Sequence, residues 1–262
     1  MCTLAVYVRC APELPLVVAA NRDEFYARPT AEPRVIADDP WVVAGQDLQA
    51  GGTWLGVNEY DMVVGLLNRR SSTGPDPNRR SRGLLCLEAL QTRSPVAVVS
   101  RVSHELAGAY NGFNLLVADP RSAFVVTNHA DQIVIHELPD GVHLLTNLDL
   151  NDPTCPRIAA SSQAFARLTP LLATVDDSSL LDELRRILAD HRTALDPRME
   201  FESGTLCLHG DSYGTRSASV LAYRSTAQQT RFWHAAGPPC TTGFTEVATK
   251  GARDSKRLGS KH

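Results

Sequence analysis

The sequence has no long hydrophobic run and no marked excess of charge of either sign. None of its apolar runs approaches the roughly 18 residues that a membrane span needs. Its amino terminus also lacks the basic region, apolar stretch and small-residue cleavage site of a signal peptide. The formal net charge of the 262 residues is −3, which gives no electrostatic reason to expect nucleic acid. These absences predict a cytoplasmic protein with no transmembrane segment and no nucleic-acid partner.

Cysteine is sparse and scattered along the chain. The six thiols stand at positions 2, 10, 86, 155, 207 and 240, and they form no CxxC pair. Thiols this far apart in a mid-sized chain are typical of a reduced cytosolic protein rather than a disulfide scaffold. Cys207 and His209 alone are too short a pattern to indicate zinc, so we expect no metal.

Strands and helices are predicted in contiguous blocks. Apolar runs predict strands at 3–8, 16–20, 53–57, 62–67, within 113–147, and at 216–223 and 231–235, and helical periodicity predicts helices at 82–91, 95–107, 157–172 and 179–191. This order favours helices layered on antiparallel sheets over a doubly wound fold. We predict a single α+β domain over residues 1–249, with four layers in the order αββα, and a disordered tail over 250–262.

The chain opens with Met1-Cys2, directly ahead of the first predicted strand. If an aminopeptidase removes Met1, Cys2 carries a thiol and a free α-amine on one residue. That pair is the nucleophile and the base of an N-terminal-nucleophile enzyme. The alternative is a small cysteine that the strand buries like any hydrophobic residue.

Four polar residues follow the second predicted strand: Asn21, Arg22, Asp23 and Glu24. A hairpin over 11–15 would place them beside Cys2. A carboxylate there would hold the α-amine, and an arginine there would lower the pKa of the thiol and favour the thiolate. A solvated turn is the competing interpretation of four successive polar residues.

Further polar side chains end or open apolar runs. Asn68 and Asn147 each close a predicted strand, where an asparagine amide can donate to a developing oxyanion. A capping or turn residue is the alternative for each. Arg216 opens a later strand after a turn that contains Gly214, and we expect it to project across a cleft.

These residues fall within motifs that resemble the NRDE family, which includes the transport and Golgi organisation 2 homologues. The motifs are Met-Cys at the start, NRDE, AGQDLQAGGTWLGV, GLLNRR with SRG behind it, YNGFNLLVAD, LLTN and HGDSYGTRS, in that order from Cys2 to about Tyr223. The resemblance implies an N-terminal-nucleophile (Ntn) hydrolase-like fold of helix, sheet, sheet and helix layers. The block order of the predicted elements agrees with this fold.

A more distant resemblance is to cysteine enzymes that cleave bile-salt and penicillin V amides. Carried over by motif, it implies Cys2 as nucleophile with its amine as base, Arg22 and Asp23 as the groups that organise them, Asn147 as oxyanion donor and Arg216 as a charge-stabilising group. We expect these side chains to converge in one cleft. Asn21, Glu24 and Asn68 are further candidates, for substrate binding. The aspartate of those enzymes lies slightly farther past its arginine, so Asp23 and Glu24 both remain candidates for the acidic partner of Cys2.

One motif departs from the family pattern. Members tend to show Pro-Trp-Pro-Lys after the asparagine-bearing strand, whereas this chain has Pro-Thr-Cys-Pro-Arg at 153–157. The Cys155-Pro156 pair resembles the Cys-Pro pairs that ligate haem in some regulatory proteins. Cys155 is therefore a candidate haem ligand.

Two functions from different classes remain. The first is a cysteine hydrolase that cleaves a small amide or thioester through an acyl-enzyme on Cys2 and requires no cofactor. The second is a carrier that binds haem or a lipid-like acyl molecule without turnover, because the resemblance implies roles in haem mobilisation and lipid homeostasis. The retained polar residues favour the hydrolase, since a carrier would need only the cleft.

Overall fold

The computed structural model describes residues 2–70, 74–105, 108–192 and 205–249. The strands are β1 (Thr3–Ala11), β2 (Leu14–Phe25), β3 (Thr30–Asp38), β4 (Trp41–Asp47), β5 (Leu55–Asn58), β6 (Val63–Asn68), β7 (Phe113–Ala118), β8 (Ala123–His129), β9 (Gln132–Glu137), β10 (Gly141–Leu145), β11 (Tyr213–Arg224), β12 (Gln229–Ala235) and β13 (Thr245–Val247). The helices are α1 (Arg82–Leu90), α2 (Pro95–Glu105), α3 (Pro156–Leu168) and α4 (Asp177–Leu188), with a 3₁₀ turn at Thr169–Ala173. The predicted tail, 250–262, lies outside the described residues.

The strands form two antiparallel sheets. The first has six strands in the order β10-β1-β2-β11-β12-β13, and the second has seven in the order β3-β4-β5-β6-β7-β8-β9. In the first sheet, β1 and β2 form a hairpin in which Thr3 pairs with Asn21 and Val8 with Leu16. This pairing confirms the predicted hairpin and brings the start of β1 to the end of β2.

Three apolar layers hold the sheets and helices together, because buried side chains alternate between the two faces of each strand. Leu4, Val6 and Val18 of the first sheet pack against the second sheet. Tyr7 and Val17, one residue along, belong to the cluster that contains the apolar faces of α3 and α4. A third cluster joins the second sheet to α1 and α2. The predicted four-layer αββα fold is confirmed.

The structure corrects several predicted boundaries. β2 continues through residues 21–25, so the polar NRDE segment is strand rather than a solvated turn. The third helix ends at Leu168 and tightens into the 3₁₀ turn, because Pro170 has no N–H to continue an α-helix. We did not predict β3, β4 or β13. β3 is an edge strand whose register shifts near Pro33 and whose side chains are mostly polar or half-buried.

No helix among the described residues is long and apolar enough to cross a bilayer.

Candidate active site

The start of β1 and the end of β2 meet in the interior of the six-stranded sheet. Because Thr3 pairs with Asn21, Cys2 lies beside the next residues of β2. Its Sγ atom is 3.8 Å from the backbone carbonyl oxygen of Asp23, which accepts a weak hydrogen bond from the thiol. Tyr213 Oη donates to the same carbonyl oxygen at 3.2 Å. The sheet thus places the candidate nucleophile at the NRDE segment.

Asp23 directs its carboxylate into a buried hydrogen-bonding network. Its Oδ2 accepts from Nη1 of Arg157 at 2.7 Å, and its Oδ1 accepts from Oγ1 of Thr215 at 2.7 Å. Arg157 also donates to Oγ1 of Thr3 at 3.1 Å. Burial and these partners fix the carboxylate and, with it, the backbone that approaches Cys2.

Arg157 is a member of this network that sequence analysis missed. It stands in the first turn of α3, and its side chain is only 1% exposed. The sequence placed it only at the start of a predicted helix, directly after Cys155-Pro156. The structure identifies Asp23 as its buried partner.

Arg22 lies on the opposite side of β2, toward the second sheet. Its guanidinium carbon is 4.2 Å from the centre of the Trp54 ring, and Nη2 is 3.6 Å from a carboxylate oxygen of Glu24. Burial lowers the pKa of Arg22, while Cys2 and Glu24 raise it. Arginine is always charged in proteins, so Arg22 is a fixed cation beside the thiol.

Burial opposes the lowering of the Cys2 pKa that the sequence led us to expect. Burial raises the pKa of the thiol, and the Asp23 carboxylate raises it further. The charge of the amino terminus, the hydrogen bond to the Asp23 carbonyl and the charge of Arg22 all lower it, but they do not outweigh burial. Desolvation, which the sequence argument left out, therefore opposes the effect of Arg22 on the thiol.

A cavity of about 900 Å³ opens beside Cys2. Asn68, at the end of β6, and Asn147, after β10, both line it. The Asn147 Oδ1 atom is buried without a hydrogen-bond partner among the described residues. Its backbone oxygen accepts from the N–H of Arg70 at 3.1 Å. The backbone at Asn147 is therefore held in place, while the side-chain oxygen has no partner among the described residues.

Arginine is frequent in the cavity wall. Its described lining contains Arg22, Arg28, Arg69, Arg70, Arg79, Arg80 and Arg82, against Asp23, Glu24, Asp47 and Asp76. Three of these arginines pair with acidic residues outside the lining: Arg69 with Asp149, Arg79 with Asp131 and Arg80 with Glu88. Arg28 is paired with Asp47 at 2.6 Å. Arg82 instead donates to the carbonyl oxygen of Gly112 at 2.9 Å and has no carboxylate partner among the described residues. Burial lowers the pKa of Arg82, and the nearby charge of Arg28 lowers it further. An anion at this wall would relieve that repulsion.

Two of the predicted residues are not brought to the cavity. Arg216 lies where the register of β11 shifts, and it donates to the carbonyl oxygen of Tyr26 at 2.5 Å and to Oγ1 of Thr30 at 3.3 Å. Such a bulge re-aims a side chain, which corrects the expectation that Arg216 projects across the cleft. Asn21 donates from Nδ2 to backbone oxygens of Leu188 and Leu206, each at 2.8 Å, and so joins β2 to the helix layer.

Cys155 lies in the core, outside the cavity lining. It precedes α3 at 1% exposure, and its Sγ is 3.6 Å from Oγ1 of Thr146. Haem would reach this thiol only if the start of α3 moved. The placement does not favour Cys155 as a haem ligand.

The family model for Transport and Golgi organisation 2 matches residues 1–234 of this chain. The human Transport and Golgi organization protein 2 homolog is 28% identical over 229 residues, which cover 79% of this chain and 81% of that protein. The corresponding mouse protein is 26% identical over 231 residues, with the same coverage.

Solved structures resemble this chain over most of its length. Penicillin V acylase from Agrobacterium tumefaciens aligns with a TM-score of 0.58 and 14% identity, over 93% of this chain and 86% of that one. A variant of conjugated bile acid hydrolase from Clostridium perfringens gives 0.54 and 10%, over 97% and 100% of the two chains. The Caenorhabditis elegans ortholog of N-acylethanolamine-hydrolyzing acid amidase gives 0.54 and 11%, over 84% and 92%. Likeness at these identities shows a common Ntn-hydrolase-like fold.

Proposed function

Since this chain belongs to the transport and Golgi organisation 2 family and has an Ntn-hydrolase-like fold, we propose that it is a cysteine hydrolase of small amides or thioesters. The reaction passes through an acyl-enzyme on Cys2. The observation that carries the proposal is the contact of Cys2 Sγ with the Asp23 carbonyl oxygen, 3.8 Å away, beside a cavity of about 900 Å³. That arrangement presents a thiol to a bound molecule.

The chemistry requires that Met1 be removed, because an acylated nitrogen on Cys2 is an amide and cannot take up a proton. The free α-amine accepts the thiol proton as the sulfur attacks the substrate carbonyl carbon, and a tetrahedral oxyanion forms. Collapse breaks the C–N or C–S bond, and the ammonium returns the proton to the leaving amine or thiol. Water, activated by the same amine, then cleaves the thioester on Cys2 and releases the acid.

The asparagines of the cavity wall suit the oxyanion. Asn147 Nδ2 donates to the developing negative charge, and the unpartnered Asn147 Oδ1 accepts from the α-ammonium or a substrate N–H. Asn68 lines the same cavity and is the second donor. Loss of one such donor typically lowers kcat by about 10²–10³.

The two acidic residues of the NRDE segment have different tasks in this proposal. Asp23, held by Arg157 and Thr215, positions the end of β2 and hence the carbonyl oxygen beside Cys2 Sγ. Glu24 lines the cavity and lies 3.6 Å from Arg22, so it orients the cation beside the thiol. Asp23 is thus a positioning residue and Glu24 faces the substrate.

The arginines of the wall favour a substrate with an anionic group. Of the seven arginines in the described lining, Arg82 lacks a carboxylate partner among the described residues. A carboxylate or phosphate on the acyl or leaving part would be bound there by charge-assisted hydrogen bonds. The acyl carbonyl would then lie toward Cys2.

A non-catalytic carrier of an acyl molecule or haem is the second candidate. It is favoured by the burial of Cys2, which raises the pKa of the thiol and so disfavours the reactive thiolate. A carrier would use the same cavity, hold its ligand reversibly and leave Cys2 unmodified.

Mass spectrometry of the acylated protein separates the two functions. Protein lacking Met1 is mixed with an anionic activated thioester, such as a dicarboxylic acid monothioester, and quenched at short times. The hydrolase predicts an acyl adduct on Cys2 that decays with release of the acid, and no adduct in Cys2→Ala. Cys10→Ala is the matched control, because that thiol is also half-buried and lies outside the cavity lining.

A form with one residue ahead of Cys2 adds a second test of the mechanism. It keeps the thiol but converts the α-amine into an amide, so we expect it to be nearly as inactive as Cys2→Ala. Saturable binding of the thioester with no adduct and no acid released would overturn the hydrolase and support the carrier.

A further inference from the structure

We propose that His191, Cys207, His209 and Cys240 form a structural zinc site. One ligand atom from each residue lies within 4.8 Å of all the others. The residues come from three segments: the chain just after α4, the approach to β11 and the loop after β12. None of these four described residues lines the cavity beside Cys2.

The distances between the ligand atoms match the edges of a zinc tetrahedron. Cys207 Sγ is 3.6 Å from Cys240 Sγ and 3.7 Å from His209 Nε2, and His209 Nε2 is 3.3 Å from Cys240 Sγ. Tetrahedral zinc, with bonds of about 2.3 Å to sulfur and 2.0–2.1 Å to nitrogen, separates two sulfurs by about 3.8 Å and sulfur from nitrogen by about 3.5 Å. The packing of the protein alone has brought three ligand atoms close to these separations.

The fourth ligand is oriented by a hydrogen bond of the kind that accompanies metal-bound histidines. His191 Nδ1 is 3.0 Å from the carbonyl oxygen of Cys207. An N–H at Nδ1 donating to that oxygen leaves the lone pair on Nε2 for the metal. The rings of His191 and His209 lie 5.1 Å apart, close enough to bind one ion.

The ligand set identifies the metal and the kind of site. Two thiolates and two neutral imidazoles in a four-coordinate arrangement are typical of zinc and leave no open position for a substrate, so the site is structural. Binding displaces one proton from each thiol, and two thiolates balance the charge of Zn²⁺. The two sulfurs do not form a disulfide, because all six cysteines are free and S–S bonds are about 2.05 Å long.

The zinc would stabilise the segment that holds Asp23 in the candidate active site. Leu208, between two of the ligands, donates its N–H to Oγ1 of Thr215 at 2.9 Å. The same Oγ1 donates to Oδ1 of Asp23 at 2.7 Å. Fixing Cys207 and His209 on one ion therefore limits the movement of the segment that holds Asp23 against β2.

The sequence did not predict this site because its ligands are separated by 16, 2 and 31 residues along the chain. Only Cys207 and His209 are near each other, and they are too few to indicate zinc. In the folded chain, His191 after α4 and Cys240 in the loop after β12 come close to Cys207 and His209 and complete the four ligands.

Metal content and competition titration test the proposal on the full chain. Protein produced with zinc and purified without chelator is analysed by inductively coupled plasma mass spectrometry, and the metal-free form is titrated with Zn²⁺ against a chromogenic chelator. We expect one zinc ion per chain, about two protons released per ion at neutral pH, and a thermal midpoint that rises with zinc. Cobalt in place of zinc should show the absorption of a tetrahedral thiolate site.

Two serine variants give the matched comparison. Cys240→Ser removes a half-buried loop ligand, and we expect its zinc affinity to fall by at least about 100-fold, since changes in the residues behind a ligand already cost 10–100-fold. Cys10→Ser alters an equally half-buried thiol outside the cluster and should bind zinc normally. Wild-type protein that takes up no zinc or cobalt would overturn the proposal, as would unchanged affinity in Cys240→Ser. A Cys207–Cys240 disulfide in protein prepared under reducing conditions would identify a redox pair instead.

Discussion

The Asp23 carboxylate and the Arg157 guanidinium form an ion pair closed to solvent. Oδ2 and Nη1 are 2.7 Å apart, and the two side chains are 0% and 1% exposed. Each charge has lost its water and depends on the other, together with hydrogen bonds to Thr3 and Thr215. The pair joins the end of β2, beside Cys2, to the first turn of α3.

Breaking this pair should destabilise the protein strongly. Arg157→Met leaves the Asp23 carboxylate buried without its cation, which typically costs about 3–5 kcal/mol. Urea unfolding followed by circular dichroism measures the change. Arg167→Met, at the exposed end of the same helix, is the control and should change the free energy of unfolding by less than about 0.5 kcal/mol. Equal midpoints for the two variants would contradict a buried pair.

Alkylation of Cys2 should depend steeply on pH. The thiolate reacts and burial raises the thiol's pKa, so the rate with iodoacetamide should keep rising above pH 9 rather than level off near neutrality. Arg22→Met removes a charge that lowers this pKa and should slow the reaction at a fixed pH. Arg28→Met, another cavity arginine, should leave the rate near that of wild type. Peptide mapping by mass spectrometry assigns the modified cysteine, and a plateau below pH 8 would show that the thiol is activated after all.

Anion binding should depend on Arg82. Arg82→Gln removes a half-buried cation that has no carboxylate partner among the described residues. We expect at least about a tenfold loss of affinity for an anionic acyl probe, because one charge-assisted hydrogen bond is worth about 1.5–3 kcal/mol. Isothermal titration calorimetry measures it. Arg121→Gln, whose side chain is 87% exposed, is the control, and the same loss in both variants would assign the effect to net charge.

The imidazole of His234 should make stability depend on pH. Burial lowers its pKa to about 4 from the ordinary 6.5, and Ser219 Oγ lies 2.9 Å from Nδ1. The unfolded chain therefore binds a proton between these values that the folded protein does not. Stability is fully present above pH 6.5 and is lost as the pH falls toward 4, by up to about 3 kcal/mol.

Denaturant midpoints at pH 7 and pH 4.5 check this expectation. In His234→Gln, the midpoint should change less between the two pH values than in wild type. His129→Gln, which alters an exposed histidine, should keep the wild-type difference. Identical pH profiles for all three proteins would exclude His234 as a source of acid sensitivity.

The sequence predicted the features that depend on local pattern. The turn after Ala11 and the apolar runs on either side of it fix the β1–β2 hairpin, which brings Cys2 to the NRDE segment. The order of strand blocks and helix blocks also predicted the four layers. Consecutive strands pair into a sheet, and consecutive helices pack on the apolar face of that sheet. Asn68 and Asn147 became candidates because each follows an apolar strand, and the structure places both at the cavity.

The features that the sequence did not predict depend on contacts between distant segments. Arg157 lies 134 residues from Asp23 in the sequence, and the residues around each of them do not indicate that the two side chains form a pair. The bulge that re-aims Arg216 arises from pairing with β2 rather than from the residues of β11. The raised pKa of Cys2 is likewise a property of the surrounding packing, which a list of neighbouring charges does not contain.

The position of β1 between β10 and β2 has a practical consequence for handling the protein. Chain ends commonly fray, but the residues after Cys2 are hydrogen-bonded to a strand on each side. An affinity tag joined ahead of Cys2 would therefore emerge between two paired strands and stand at the mouth of the cavity, even after partial trimming. A tag placed after residue 249 leaves that mouth clear, and amide exchange in β1 should then be among the slowest in the molecule.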